Sequence, residues 1–64
     1  MEKLFNKLKV GDRFKSLNKE YIKIYLVTIF DVHSHSQLAN AVKLDGDDKG
    51  NLYYFQPMAK INVS

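Results

Sequence analysis

The sequence EYIKIYLVTIF, at residues 20–30, contains no Gly, Pro, Asn or Asp, and nine of its eleven residues are aromatic, β-branched or Leu. A run of this composition favours a long β-strand. Its second half, from Val27 to Phe30, is apolar on both faces except at Thr28. We therefore expect a strand that is covered on both sides at its end, by the N-terminal turn, by the loop that follows, or by another chain.

The first half of this strand alternates, so successive side chains point to opposite faces. The residues on one face are Ile22, Ile24 and Leu26. The residues on the other face are Tyr21, Lys23 and Tyr25. We expect the aliphatic face to line the core and the Tyr-Lys-Tyr face to point outward.

Four shorter strands are predicted by apolar runs between turn signals, at residues 13–16, 38–45, 52–56 and 60–63. Asn18 is the residue best suited to a left-handed turn before the long strand. The two glycines within the polar segment after the third strand indicate a hairpin turn. Pro57 lacks a backbone donor, which places it at a strand end or corner. Residues 31–37 are predicted to form a loop.

These elements together predict an all-β fold. Leu4, Phe5 and Leu8 fit a short N-terminal helical turn. Five strands in 64 residues are too few for a two-sheet sandwich, so we expect a small five-stranded barrel or an antiparallel meander. Residues 1–64 then form a single small domain near the lower size limit for independent folding. Without cysteine, stability must come from apolar packing.

Composition also bounds the class of function. The longest apolar stretch is far shorter than the roughly 20 residues that span a bilayer, and the N-terminus lacks the pattern of a secretory signal. A cytoplasmic location is therefore expected. So thin a core offers no walls for a catalytic pocket, and the His33-Ser34 pair has no recognisable third catalytic group. We expect a protein that is not an enzyme and needs no cofactor.

Metal binding is not predicted either. His33 and His35 project the same way in an extended loop, but with Asp31 as the only nearby carboxylate they fall short of the ligands of a stable site. The acidic segment at residues 45–50 lacks the twelve-residue layout and final Glu of a calcium loop. Both segments are read as solvated loops.

The chain contains five short motifs, namely LKVGDRF at residues 8–14, YIKI at 21–24, NAVKL at 40–44, GNL at 50–52 and FQP at 55–57. Together they resemble small proteins of tailed bacteriophages. The resemblance implies a Src-homology-3-like barrel and an accessory protein that binds host machinery or a host defence protein. The chain departs from the pattern in a longer segment between Tyr25 and Leu38 and in a more basic N-terminal region.

Two classes of partner stay open. Tyrosine offers contact area at low entropic cost, and a host protein is the first expectation. The predicted contact residues are Tyr21, Lys23, Tyr25, His33, His35, Tyr53 and Tyr54. Homo-oligomerisation through the apolar run from Val27 to Phe30 is a further way to cover that segment.

The alternative partner is nucleic acid. Residues 1–23 hold seven basic and three acidic groups, a net charge of +4, whereas residues 24–64 have a net charge of −1. Such an imbalance attracts anions, although lysines that solvate strand edges produce the same pattern. The residues for this alternative are Lys7, Lys9, Arg13, Lys15 and Lys23, with bases stacking on the tyrosines.

Overall fold

The computed structural model, which describes residues 1–30 and 35–63, is a six-stranded antiparallel sheet with almost no helix. The strands are β1 (Glu2–Leu4), β2 (Arg13–Ser16), β3 (Lys19–Phe30), β4 (Ser36–Lys43), β5 (Leu52–Tyr53) and β6 (Lys60–Asn62). Their order in the sheet is β1-β6-β2-β3-β4-β5. The all-β expectation is confirmed.

The strand count of five is wrong, because Glu2–Leu4 pairs with β6 and adds a strand at the sheet edge. A single 3₁₀ turn follows at Phe5–Lys7, where a helical turn was expected. The long strand is confirmed and begins one residue earlier than predicted, at Lys19. Pro57 lies in a turn, as expected for a residue that cannot donate to a ladder.

The β2–β3 connection is a two-residue turn in which both residues have positive φ. Asn18 has a φ of 64°, which confirms the expected left-handed conformation, and Leu17 has a φ of 52°. Two positive φ values match the twist of the flanking strands. Leu17 is also 90% exposed, so its side chain contributes nothing to the core.

The core is built around Phe14, which is 2% exposed. Its ring centroid lies 5.1–5.5 Å from those of Phe5, Tyr21 and Phe55. The buried cluster consists of Phe5, Leu8, Phe14, Tyr21, Ala41 and Ile61. Aromatic rings from four separate chain segments therefore close this small interior.

The expected outward direction of the Tyr-Lys-Tyr face is wrong for Tyr21. Its side chain is 7% exposed and its ring stacks on Phe14 at 5.5 Å. The edges of Tyr53 and Phe55 pack against it as well. Both faces of the strand carry apolar residues, and contact with three other rings draws the tyrosine inward, while Ile22 is left half-buried.

β3 contains a bulge opposite Asn40. Lys23 pairs with Ala41 and Val27 pairs with Ala39, so three residues of β3 face one residue of β4. Two extra residues restore the alternation of faces, because the side-chain period of a strand is two. The bulge therefore bends the strand without exchanging its faces.

The side chain of Asn40 takes over the strand pairing that β5 lacks. Its Nδ2 donates to the Phe55 carbonyl, and its Oδ1 accepts from the Phe55 N–H, both at 2.8 Å. β5 was expected to reach residue 56 but ends at Tyr53. The amide of a buried side chain thus reproduces the two hydrogen bonds of a ladder and holds the following segment against the core.

Beyond the bulge, residues 27–30 of β3 pair only with residues 36–39 of β4. We call this two-stranded segment the arm. The pairing of β2 with β3 ends at Ile22, and β5 pairs with Ala41 and Val42. The molecule measures 40 × 25 × 18 Å, which fits a small body extended by a ribbon.

The expected cover on both faces of the arm is not present in the described part of the chain. Phe30 is 73% exposed, Leu38 is 49% exposed and Val27 is 39% exposed. The N-terminal turn does not cover them, since Phe5 packs in the core instead. The remaining expected covers are the loop, of which residues 31–34 lie outside the described residues, and another chain.

Candidate binding site

An apolar groove lies where the N-terminal segment meets the bulge of β3. Its volume is about 250 Å³, slightly below the range of about 300–1,000 Å³ typical of small-molecule sites. The lining residues are Phe5, Asn6, Val10, Lys23, Ile24, Tyr25, Leu26, Asn40 and Pro57. A shallow, mostly apolar depression of this size is suited to one or two side chains of a partner.

Exposed apolar side chains surround the groove. Tyr25 is 76% exposed and Leu26 is 62% exposed. Met58 is 68% exposed, and its sulfur lies 3.9 Å from the Asn6 Nδ2 at the groove wall. The bulge explains the exposure of Tyr25 and Leu26, because both residues lie where β3 leaves the regular ladder. Clustered exposed apolar residues of this kind mark interaction sites.

Lys23 forms part of the groove and fixes the segment beside it. Its Nζ donates to the Leu8 carbonyl at 2.7 Å and to the Phe5 carbonyl at 3.2 Å. The same ammonium lies 4.6 Å from the centroid of the Phe5 ring. Two of its three donors therefore hold the N-terminal turn against β3. Its side chain is half-buried, in contrast to the solvated lysine that the alternation indicated.

A charged network beside β5 was missed by sequence reasoning. Lys43 is 3% exposed and its ammonium donates to Asp48, which also accepts a hydrogen bond from the Tyr53 hydroxyl. Gly46 has a φ of 80°, and a Cβ there would lie 3.2 Å from the Lys43 Nζ. The glycine thus leaves room for the ion pair. Residue spacing gives no sign that the turn folds back onto Lys43.

The network shifts the pKa of each member. Hydrogen bonds from Lys43 and then Tyr53 lower the pKa of Asp48 from its ordinary 3.8 to about 2. The hydrogen bond to Asp48 is also the main cause that raises the pKa of Lys43 above its ordinary 10.5 and that of Tyr53 above 10.0. The carboxylate, the ammonium and the neutral phenol are therefore the favoured forms across the neutral range.

We expect the folded state to lose stability in acid through Asp48. Its folded pKa lies below its unfolded pKa, so its contribution is complete above about pH 4 and is lost as the pH falls toward 2. Urea unfolding midpoints of Asp48→Asn should consequently fall less steeply between pH 4 and 2 than those of the unmodified chain. Asp47→Asn, one residue away and exposed, is the matched control. Equal acid dependence in Asp48→Asn and the unmodified chain would contradict this role.

The predicted contact residues lie on different parts of the structure. Tyr25 and Lys23 line the groove, whereas Tyr53 belongs to the charged network. Tyr54 is 45% exposed and does not line the groove. His35 is exposed immediately before β4. The structure therefore brings Lys23 and Tyr25 together in the groove, and Tyr53 and Tyr54 are not among its lining residues.

The residues of the nucleic-acid alternative lie in the N-terminal segment, on β2 and on β3. Lys7, Lys9 and Lys15 are exposed. Arg13 lies on β2 with its Nη1 4.0 Å from the Glu20 carboxylate. The fifth residue is Lys23, whose ammonium already donates to two backbone carbonyls. Tyr21, one of the tyrosines predicted to stack on bases, is buried in the core, which leaves Tyr25 as the strongly exposed tyrosine of the groove.

His33 and Asp31 lie outside the described residues, as does most of the loop that they belong to. Within residues 1–30 and 35–63, no three His, Asp or Glu side chains are close enough together to hold a metal ion. The same residues form no helix that is both long and apolar enough to cross a membrane.

The comparisons with known proteins return no relatives. No family model matches the chain. No curated protein and no solved structure matches it either. Function is therefore inferred from the groove, the arm and the residues that form them.

Proposed function

We propose that this protein is a non-enzymatic binding protein that docks another protein on the apolar groove. The observation that carries the proposal is the exposure of Tyr25 and Leu26 beside that groove. In a chain of 64 residues, every buried apolar side chain is needed for stability. Tyr25 and Leu26 are instead exposed to water at an apolar groove, so both side chains are available to a partner.

A partner gains binding free energy by covering these side chains. Burying a large apolar side chain contributes about 1.5–3 kcal/mol, and tyrosine is enriched among the residues that dominate binding energy. Lys23 and the N-terminal turn form a fixed wall, so the groove is pre-organised. Pre-organisation lowers the entropic cost of association.

The proposal also includes the class of protein and the class of its partner. The motifs that resemble those of small tailed-phage proteins support the proposal of a Src-homology-3-like barrel that acts in the bacterial cytoplasm. The sheet of the described residues is open, with β1 and β5 at its two edges, and the bulge in β3 supports the curvature that a barrel needs. The partner proposed on this basis is a host protein, which the phage protein inhibits or modulates by occupying its surface.

The test begins with affinity capture from bacterial lysate, with and without nuclease. A captured protein is then purified and its dissociation constant measured by calorimetry. We expect Tyr25→Ala to weaken binding at least 30-fold, which is about 2 kcal/mol. Tyr54→Ala is the matched control, because it removes an exposed tyrosine outside the groove.

Three results would overturn the proposal. Capture that disappears with nuclease would favour nucleic acid, and oligonucleotide binding that weakens linearly with the logarithm of salt concentration would establish it. Equal loss in Tyr25→Ala and Tyr54→Ala would place the site elsewhere. Unchanged binding of Tyr25→Ala would remove the groove from the interaction.

A further inference from the structure

One edge of β3 is unpaired along the arm. The hydrogen bonds between residues 11–12 and Lys23, at 2.8 and 2.9 Å, are the last backbone hydrogen bonds on that side within the described residues. From Ile24 to Phe30, no strand in the described part of the chain lies beside this edge. An exposed edge presents a row of N–H and C=O groups that another strand can pair with.

This edge also lacks the usual protection against pairing. Natural edge strands are blunted by lysine, by proline or by inward-pointing charge. Residues 24–30 contain no charged residue and no proline, and all ten Lys and Arg residues lie outside residues 24–42. A second arm can therefore approach without repulsion between cations, and the basic bodies then lie at opposite ends of the pair.

The sequence of the edge is self-complementary. When LVTIF, residues 26–30, is paired antiparallel with itself about its middle residue, Thr28 faces Thr28. Val27 then faces Ile29, and Leu26 faces Phe30. This register matches polar with polar and apolar with apolar side chains, and such cross-strand pairs stabilise a sheet. We propose that two copies of this chain pair through these β3 edges, with Thr28 on the two-fold axis.

The side-chain surface is sufficient for such a dimer. Phe30 and Thr28 share a face of the arm with Leu38, as their pairing with Ser36 and Leu38 shows. A large aromatic residue buries about 150–250 Å², and Phe30 is 73% exposed with Leu26 at 62%. Two copies together offer on the order of 1,000 Å², which is the lower bound of a specific interface. A two-stranded ribbon is only marginally stable alone, and pairing gives four strands.

The dimer shares Leu26 with the proposed host-protein site but does not rest on that function, because the test residue Thr28 does not line the groove. Sedimentation of the unmodified chain over a concentration series should show a mass that approaches twice 7.4 kDa. Thr28→Lys and Thr28→Glu should each raise the dissociation constant at least tenfold, since like charges then face each other. Mixing the two variants should restore the dimer. Leu17→Lys, a change at a remote exposed position, should leave it unaffected.

A second measurement fixes the register without depending on charge. The chain has no cysteine, so single cysteines report on one contact. Facing residues in an antiparallel pair have Cα atoms about 4.5–5.5 Å apart, within the range of about 4.4–6.8 Å that a disulfide requires. Thr28→Cys should therefore form a linked dimer on oxidation. Ile29→Cys should not, because its counterpart is displaced by two residues along the strand.

Either of two outcomes overturns the inference. One is a monomer at concentrations of about 1 mM, which means that nothing pairs with the edge. The other is a dimer in which cysteine at residue 29 links as well as cysteine at residue 28, or in which the charged variants do not complement each other. Circular dichroism of each variant confirms that a loss of association is not a loss of folding.

Discussion

Phe14→Ala is expected to remove a large part of the free energy of unfolding of the protein. Removing a buried phenylalanine costs about 3–5 kcal/mol, whereas a chain of 64 residues has a total stability of roughly 3–10 kcal/mol. The site cannot collapse easily, because three rings from separate segments surround Phe14 at 5.1–5.5 Å. Urea unfolding followed by circular dichroism measures the effect.

The matched control for this prediction is the same chemical change at an exposed position. Phe30→Ala removes a ring that is 73% exposed, so in dilute protein it should change the free energy of unfolding by less than about 0.5 kcal/mol. Phe14→Leu keeps most of the volume and should cost less than alanine. Similar losses for Phe14→Ala and Phe30→Ala would show that the aromatic cluster is not the core.

Asn40→Leu is expected to destabilise the fold by about 2–4 kcal/mol. The substitution leaves both the N–H and the C=O of Phe55 without the hydrogen bonds that the amide supplies at 2.8 Å. Asn40 is 8% exposed, so water does not readily replace the lost partners. The free energy of unfolding from urea titration at neutral pH measures the loss.

Asn40→Asp separates the hydrogen-bond pattern from the shape of the side chain. At neutral pH a carboxylate oxygen would face the Phe55 carbonyl, and both are acceptors. Below about pH 4 the protonated carboxyl can donate to that carbonyl and accept from the N–H. The deficit of this variant relative to the unmodified chain should therefore shrink as the pH falls. A deficit that is constant with pH would contradict the two-bond description.

Much of the strand layout could be predicted from the sequence. The long strand, the turn at Asn18 and the place of Phe14 in the core all follow from local chemistry, namely β-propensity, left-handed tolerance and an isolated aromatic between charged neighbours. These features depend on a few adjacent residues. β1 was missed because its pairing with β6 joins the two ends of the chain.

The candidate site depended on information that the sequence does not carry locally. Alternation separates Tyr21 from Ile22, but it does not say which face meets the other rings. The bulge opposite Asn40 is a mismatch between two strands and is invisible in either strand alone. The exposure of Tyr25 follows from that bulge. The groove could therefore be found only after the strands had been paired.

The β3 bulge adds an even number of residues, namely two, relative to β4. This even number determines which changes of chain length the molecule tolerates. Deleting two of the residues 24–26 would remove the bulge and let the arm continue the ladder directly, with each arm residue still on its present face. Deleting one residue would turn every arm side chain to the opposite face and reverse the inside and the outside of the ribbon. Insertions and deletions in this segment are therefore expected to be accepted in pairs, because only an even change keeps the arm side chains on their present faces.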